Sequence, residues 1–414
     1  MSLDSLIIYC FGIFVMLLYV VIFKVKNKKI EIDHITCLFF GIFYYIYLPI
    51  YTHSSSYTYT FSNVAQKKAF SSISNPAFSE MLLTTLGIIV AIILADLMSK
   101  NKKYSPSLLG TPNIGVMKLS LLLLSLFILP AFIDMIPVFF NHYDTSLWVR
   151  GSRGPFLSYI VILVAMSSMY LIRKGQLDLF NIFTIFAFSF SLINVFSGNR
   201  GFFISFIISI IIVASQLRGG IKIRNLLLIA LVGIIFSGLV GQIRSGSSAS
   251  LDWLSLMQLS MYHLNAEGGN VATSMYIYIS NYDANYFEFP HSFLSQFISI
   301  IPSFIFPAKF DYLILDPRVT YFLSSSHFYV ILLVNFGIIG AIFFMYLFTY
   351  VLNVIKYKYK AMGIYPALCC LIPFMFFRDF DLTVVKFMFE FTFLYALIII
   401  LTGNTISKIY KIKS

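Results

Sequence analysis

One stretch of the chain combines side chains that bind anions with the predicted start of a membrane helix. Between residues 316 and 341 it places Arg318, three serines at positions 324–326 and His327 directly before a long apolar run. A serine run in front of an apolar segment is typical of a helix N-cap. The positive end of the helix dipole is therefore expected beside Arg318 and His327, where it would attract an anion.

The composition indicates which class of protein carries this stretch. The chain of 414 residues is 59% hydrophobic and only 11% charged, with a mean hydropathy of +0.87. Soluble globular domains do not reach such values, whereas repeated apolar runs of about twenty residues are typical of polytopic helical membrane proteins. The net charge of +12 does not indicate nucleic-acid binding, because the basic residues lie in short loops between the apolar runs.

The apolar runs predict an all-α polytopic membrane protein with eleven spans in a single membrane domain, residues 1–414. About two thirds of the 29 lysines and arginines fall in alternate connections, which the positive-inside rule makes cytoplasmic. The N-terminus is then expected outside and the C-terminus inside. The longest connection, 242–326, is predicted to be one large outer loop, and loops of that length are usually functional. The spans are expected at 5–23, 34–51, 79–98, 117–137, 155–172, 178–196, 201–217, 225–241, 327–352, 364–377 and 384–402.

Arginine is concentrated on the predicted outer side, where the positive-inside rule disfavours it. Its rigid fork of donors binds phosphate or carboxylate through two hydrogen bonds and does not lose its charge. Such side chains at the outer ends of several spans could converge on one anion-binding patch. The alternative is that they pair with outer acids, among them Glu288, Asp316 and Asp379. The outer arginines are Arg150, Arg153, Arg200, Arg244, Arg318 and Arg378.

His327 is the histidine best placed for chemistry, because it lies in the predicted first turn of a span, nine residues after Arg318. A helix N-terminus lowers the pKa of a histidine and keeps the ring neutral. A neutral imidazole can act as a general base toward a sugar hydroxyl. The alternative is a structural histidine that anchors the end of the helix.

The sequence contains no signature of a soluble enzyme or of a metal site. A P-loop, an HExxH motif and a GxSxG motif are all missing, and no carboxylate cluster on an outer loop has metal-ligand spacing. We therefore expect neither a metal nor another cofactor.

Two motifs resemble those of a known family. The run from His327 through Asn335 and Gly337 to Gly340 resembles a signature of the O-antigen ligase and polymerase superfamily. In that signature, near the end of a large periplasmic loop, a histidine opens a span that carries an E/N-x-G-x-x-G ending. The turn SGNRG at 197–201 resembles the arginine turn of the oligosaccharide repeat-unit polymerases of the Wzy type. The layout of many spans around one dominant periplasmic loop is similar as well.

The resemblance implies a GT-C-like, metal-independent glycosyltransferase in the bacterial inner membrane, with its N-terminus in the periplasm and its C-terminus in the cytoplasm. It would polymerise undecaprenyl-pyrophosphate-linked oligosaccharide into O-antigen, a part of lipopolysaccharide biosynthesis, with membrane lipids and a chain-length regulator as further partners. His327 would orient or deprotonate the acceptor hydroxyl, or contact the phosphate, and Arg318 would bind the leaving pyrophosphate. The supporting pyrophosphate ligands would be Arg200, Arg244 and Arg378, with Arg150 and Arg153.

Two alternatives remain open from the sequence. An O-antigen ligase would share the chemistry and much of the motif, but would move the finished polymer onto a lipid acceptor. A lipid-linked oligosaccharide flippase or a solute transporter would need polar groups in the middle of the membrane.

Overall fold

The structure is a computed structural model that describes residues 2–54, 64–100, 118–126, 128–130, 201–245, 268–301, 305–319, 326–359 and 364–390, with isolated positions between 133 and 189. Within these ranges four helices are long and apolar enough to cross a membrane: Leu3–Lys24, His34–Ser54, Asn75–Ser99 and Phe328–Tyr357. Shorter apolar helices accompany them. The chain is therefore a predominantly helical membrane protein, as the composition predicts.

In chain order the described helices are α1 (Leu3–Tyr19), α2 (His34–Ile42), α3 (Leu48–Ser54), α4 (Val64–Ser71), α5 (Asn75–Lys100), α6 (Gly201–Arg218), α7 (Ile223–Ser245), α8 (268–281), α9 (His291–Ser295), α10 (Phe328–Tyr359) and α11 (Ile364–Leu371). Turns of π-helix occupy Val20–Lys24, Phe43–Tyr47, Ile372–Phe376 and Leu382–Met388, and 3₁₀ turns occupy Gln296–Ile300 and Pro307–Tyr312. Residues 118–126 and 128–130 are also helical.

The predicted spans correspond unevenly to these helices. The first three and the span 327–352 match the four long helices, while 201–217, 225–241 and 364–377 fall on shorter apolar ones. The predicted spans 155–172 and 178–196 lie outside the described residues except at isolated positions, as does most of 384–402. Inside the predicted outer loop 242–326, the structure adds the helix α8, whose Val271, Met275 and Tyr276 are buried.

Local signals start the first helices. The Ser2 side chain accepts a hydrogen bond from the backbone N–H of Ser5 and so caps α1. Asp33 caps α2 more fully, since its carboxylate accepts from the N–H groups of Ile35 and Thr36 while the Thr36 hydroxyl accepts from the Asp33 N–H. A capping box of this kind satisfies donors that the first turn of a helix leaves without partners.

A small sheet, which the sequence did not predict, joins two distant connections. Strands β1 (Val25–Lys26) and β2 (Lys29–Ile30) form a hairpin, and β3 (Ile221–Lys222) pairs antiparallel with β2. Asn27 and Lys28 at the hairpin turn both have positive φ, as a two-residue turn between right-twisted strands requires. Gly220, at φ 106°, lies so close to β2 that a Cβ atom would be 3.1 Å from the Ile30 carbonyl oxygen.

Four charged side chains from four different segments form a buried charge cluster: Lys24, Asp33, Asp96 and Lys356. The ammonium nitrogen of Lys24 lies 2.6 Å from Asp33 and 3.1 Å from Asp96, and that of Lys356 lies 2.8 Å from Asp33. Burial alone would raise the pKa of Asp33, but the two ammonium groups hold it well below its usual range. The cluster therefore joins the π-helical turn after α1 to α2, α5 and α10 through ion pairs away from water.

Candidate functional site

The start of α10 is capped by His327. The backbone N–H of Tyr329 donates to His327 Nδ1 at 3.1 Å, and the carbonyl of His327 accepts from Val330 and Ile331. The residue that caps the helix is thus the histidine, and the hydroxyl of the buried Ser326 has no hydrogen-bond partner among the described residues. Ser324 and Ser325 lie outside the described residues.

Both ring nitrogens of His327 are engaged by the protein. Because Nδ1 accepts the Tyr329 N–H, the ring proton lies on Nε2, which donates to the Tyr45 carbonyl at 3.1 Å. That carbonyl belongs to the π-helical turn Phe43–Tyr47. The His327 backbone N–H donates to Ser274 Oγ in α8 at 2.9 Å. With its single proton on Nε2, the ring is in its neutral form.

Ten residues into the run, α10 is interrupted at Gly337. The glycine has φ 66° and ψ −176°, a conformation that essentially only glycine adopts without strain. The helix therefore consists of a short first part, 328–336, and a long half, 338–359. We call the first part the outer half, because the sequence predicts it to lie toward the outer face. The sequence did not predict this interruption, because the apolar run continues across it.

A short segment, residues 285–289, crosses the interruption, and we call it the strap. The backbone N–H groups of Ile338 and Ile339 donate to the carbonyls of Asn285 and Tyr286 at 2.9 and 3.1 Å. These two donors open the long half of α10 and have no acceptor within their own helix. A Cβ atom at position 337 would lie 2.7 Å from the Tyr286 carbonyl and the Phe287 N–H nitrogen. Gly337 is thus needed both for its conformation and for the approach of the strap.

Asn335, two residues before the interruption, fastens α9 to the outer half of α10. Its side-chain oxygen accepts from the Ser292 hydroxyl and the Phe293 N–H, both at 2.8 Å, and its amide nitrogen donates to the Ile331 carbonyl. Both the oxygen and the nitrogen of this buried amide are hydrogen-bonded. Asn335 and Gly337, which carry part of the family resemblance, therefore together shape the broken helix.

Arg318 lies at the interruption and connects three segments. Its Nε and Nη2 donate to the two oxygens of Asp316 at 3.0 and 2.8 Å, Nη2 also donates to the Val334 carbonyl at 3.4 Å, and Nη1 lies 3.5 Å from Glu288 of the strap. We call Arg318, Asp316 and Glu288 the Arg318 cluster. Each of the three side chains is 20–25% exposed.

The two acids of the Arg318 cluster are ionised. The Asn285 amide, together with Arg318, lowers the pKa of Glu288, and the guanidinium of Arg318 lowers that of Asp316. Asp316 faces two guanidinium nitrogens in the bidentate geometry that gives the strongest arginine–carboxylate pairs. The contact with Glu288 is the longest that Arg318 makes, and the guanidinium has five N–H groups to offer. Arg318 therefore retains capacity for a further acceptor.

Arg318 and His327 lie at opposite ends of the outer half of α10. Arg318 contacts the Val334 carbonyl, near the carboxyl end, whereas His327 caps the amino end. At 1.5 Å per residue these points are roughly 10 Å apart along the helix. The expectation that both side chains flank the helix N-terminus at His327 was therefore wrong for Arg318, which lies beside the Val334 carbonyl instead.

Exposed aromatic rings lie on both sides of Glu288 along the strap. Tyr286, Phe287 and Phe289 are 70%, 71% and 61% exposed, and the ring of Phe289 lies 4.5 Å from that of His291. They present flat apolar surfaces next to ionised carboxylates and a guanidinium. An aromatic face combined with such polar groups suits the apolar and hydroxyl-bearing sides of a sugar ring.

Of the other arginines that the sequence predicts as ligands, two lie within the described residues and three lie outside them. Arg378 follows a turn of π-helix, with its Nε 3.7 Å from Asp379. It is adjacent to Phe377, whose ring packs 4.4 Å from that of Phe328 beside His327. Arg244 is the penultimate residue of α7. Three predicted ligands lie outside the described residues: Arg150, Arg153 and Arg200.

The structure adds residues that sequence reasoning did not propose as site residues. Asp316 and Glu288 were foreseen only as two of several outer acids available for pairing, although the position of Asp316 two residues before Arg318 was a usable signal. Glu288 and Asn285 lie some thirty residues away in sequence, and no local pattern points to them.

Comparisons with protein families, with curated proteins and with solved structures find no match to this chain.

Proposed function

We propose that this chain is a membrane-embedded glycosyltransferase that polymerises undecaprenyl-pyrophosphate-linked oligosaccharide repeat units into O-antigen or a related surface polysaccharide. The observation that carries the proposal is the Arg318 cluster with its exposed aromatic rings, at the interruption of the helix that bears the family resemblance. A polymerase needs both parts: a cation for the departing pyrophosphate and surfaces for sugars.

The proposal includes the full membrane layout predicted from the sequence. The chain would have about eleven spans in a GT-C-like arrangement within one domain, with the large loop 242–326 on the periplasmic face of the inner membrane. The charge bias of the connections supports this orientation. The carrier lipid would remain in the membrane while its pyrophosphate and sugars reach the loop.

Arg318 is the proposed ligand of the leaving pyrophosphate. When the glycosidic bond to the carrier breaks, negative charge develops on the phosphate oxygens, and a positioned guanidinium stabilises it. A phosphate oxygen would replace Glu288 at Nη1, because that contact is the longest at 3.5 Å. Asp316, with its two short bonds, would hold the guanidinium in place.

His327 is assigned a positioning role in this proposal. A general base needs a free lone pair within reach of the acceptor hydroxyl, and Nδ1 already accepts from Tyr329 while Nε2 donates to Tyr45. The ring connects the start of α10 to the turn Phe43–Tyr47. Loss of the ring would move the outer half of α10, whose other end contacts Arg318.

The decisive test is elongation by the purified protein. Reconstituted into liposomes with lipid-linked repeat units, the wild type should form polymer, which a flippase or transporter would not do. Arg318→Ala and Arg318→Lys should each lower the yield at least a hundredfold while the protein still inserts and accumulates, because lysine cannot supply the fork geometry. Arg224→Lys, an exposed arginine at the start of α7, is the matched control and should keep wild-type chain lengths.

A gene deletion separates polymerase from ligase. Loss of the polymerase should leave a single repeat unit on the lipid core, whereas loss of a ligase should leave none. Wild-type chain lengths in Arg318→Ala would contradict the proposed site, and absence of repeat units in the deletion strain would assign the ligase reaction instead.

A further inference from the structure

Three lysines stand side by side across the small sheet that joins the first and seventh connections. The register pairs Lys26 with Lys29 across the hairpin and Lys29 with Lys222 across the next strand pair. Directly opposite residues project to the same face of a sheet, with neighbouring strands about 5 Å apart. We call this row the lysine ladder. Val25, Ile30 and Ile221 form the parallel row on the opposite face.

Like charges directly opposite one another destabilise a sheet, and this sheet has only two residues in each strand. More positive charge lies close in sequence, at the exposed Lys28, Arg218 and Arg224. The nearest acid along the chain, Glu31, is bound to Lys356 at 2.6 Å. Within the described part of the chain, no carboxylate is ion-paired with a lysine of the ladder. The ladder therefore concentrates positive charge for which the described residues offer no counter-ion.

Several bonds hold the ladder in place in spite of this repulsion. Lys29 Nζ donates to the carbonyl of Arg218 at 3.1 Å, the Ile32 N–H donates to Ser215 Oγ at 2.7 Å, and the Gly220 N–H donates to the Ser215 carbonyl at 2.7 Å. The last of these places Gly220 against β2, where no larger residue fits without a shift. The backbone positions of the three lysines are thus fixed relative to one another, and the ammonium group of Lys29 is held as well.

The helical segments next to the small sheet, the end of the first span and the start of α7, have apolar side chains exposed on the protein surface. At the end of the first span Val21, Ile22 and Phe23 are all exposed, and at the start of α7 Leu227 and Leu228 are exposed as well. In a membrane these surfaces are covered by acyl chains. The headgroups of the same lipids must then lie at the level of the span ends, within one or two residues of Lys26 and Lys222.

We propose that the lysine ladder is a binding site for the phosphate headgroup of an anionic phospholipid in the inner leaflet. The site lies on the side that the positive-inside rule makes cytoplasmic, where anionic lipids attract basic residues near the surface. The apolar side chains at the end of the first span and at the start of α7 hold the acyl chains, and the ladder holds the phosphate. This inference does not depend on the proposed glycosyl transfer.

Titration of the purified full-length protein in neutral detergent tests the site. Dioctanoyl phosphatidylglycerol is the probe, dioctanoyl phosphatidylcholine has the same chains without net charge, and inorganic phosphate has the charge without chains. The phosphatidylglycerol should bind most tightly, and affinity should fall about fivefold for each lysine changed to glutamine among Lys26, Lys29 and Lys222. Raised salt should weaken the wild-type affinity.

Matched variants separate the ladder from charge in general. Lys67→Gln/Lys68→Gln removes two lysines from α4, away from the ladder, and should leave phosphatidylglycerol binding unchanged. The triple arginine variant of the ladder should bind as the wild type does. If the triple glutamine variant does not accumulate, Lys26→Gln alone, at an exposed position, carries the test with its fivefold loss.

Two results would overturn the proposal. Equal affinity for phosphatidylglycerol and phosphatidylcholine would show that charge is not recognised. Inorganic phosphate that competes fully with phosphatidylglycerol at the same concentration would make this a site for a free anion instead of a lipid.

Discussion

Two ionic clusters, one toward each end of α10, use similar groups in different surroundings. The buried charge cluster of Lys24, Asp33, Asp96 and Lys356 has short contacts, and the side chains of Lys24, Asp33 and Asp96 are fully buried. The side chains of the Arg318 cluster are about one quarter exposed, and the contact between Arg318 and Glu288 is long, at 3.5 Å. Removing the partner of a buried charge costs much free energy, whereas a partly exposed charge can exchange one partner for another. The first cluster therefore suits a fixed joint and the second a place where a ligand arrives.

Breaking the buried cluster should have the largest effect on stability. Lys24→Met removes one cation and leaves Asp33 and Asp96 without it in a dry environment. The loss of a partner from a buried ion pair costs about 3–5 kcal/mol, to be measured as the free energy of unfolding in detergent. Lys28→Met, four residues later at an exposed turn, is the control and should change the free energy by less than about 0.5 kcal/mol. A fully stable Lys24→Met would show that the cluster is not a joint.

Changing Gly337 should have the next largest effect and should act on the strap. In Gly337→Ala the new Cβ would lie 2.7 Å from the Tyr286 carbonyl, and the backbone would be strained as well. We expect a loss of about 1–3 kcal/mol and a loss of polymer, because Glu288 and the aromatic rings would leave the Arg318 cluster. Protection of the strap from limited proteolysis measures the displacement.

Gly233→Ala is the matched control for this change. Gly233 lies inside α7, where a Cβ atom would meet nothing within 4 Å, so alanine should be neutral or slightly stabilising. A strap that stays protected in Gly337→Ala, with polymer unchanged, would mean that the interruption of α10 does not shape the site.

Hydropathy predicts which segments lie in the membrane. It predicts little about features of a helix that depend on contacts with other segments. The long helices Leu3–Lys24, His34–Ser54 and Asn75–Ser99 coincide with predicted spans, because twenty apolar residues have few alternatives in a bilayer. The same reasoning missed the interruption at Gly337. The interruption depends on the strap, which supplies acceptors for Ile338 and Ile339 from fifty residues earlier in the chain.

Local charge spacing was a partial guide to the site. Asp316 is two residues from Arg318, so their pairing could be anticipated among the outer acids, but Glu288 reaches Arg318 only through the fold. The N-cap was expected from the serine run, yet His327 takes the position because its unprotonated Nδ1 accepts the Tyr329 N–H. The lysines of the small sheet were foreseen as cytoplasmic charges, while their alignment depends on a register that two-residue strands do not reveal in sequence.

The smallest effects on stability, and the sharpest contrast, should come from the two acids of the Arg318 cluster. Neither Glu288→Gln nor Asp316→Asn should cost more than about 1 kcal/mol, because ion pairs that stay in contact with water contribute little. Their effects on polymer yield should differ at least tenfold. Asp316→Asn loosens the guanidinium that it holds through two short bonds, whereas Glu288→Gln removes the negative charge that phosphate is proposed to replace.

The elongation assay in liposomes, with unfolding measured on the same preparations, separates these outcomes. Glu288→Gln should keep polymer and bind inorganic pyrophosphate at least as tightly as the wild type, since one competing negative charge is gone. If Glu288→Gln instead abolishes polymer in a stable protein, Glu288 is a group that the reaction itself requires. The Arg318 cluster would then resemble the buried cluster in needing all of its members, and the proposed exchange of partners at Arg318 would be wrong.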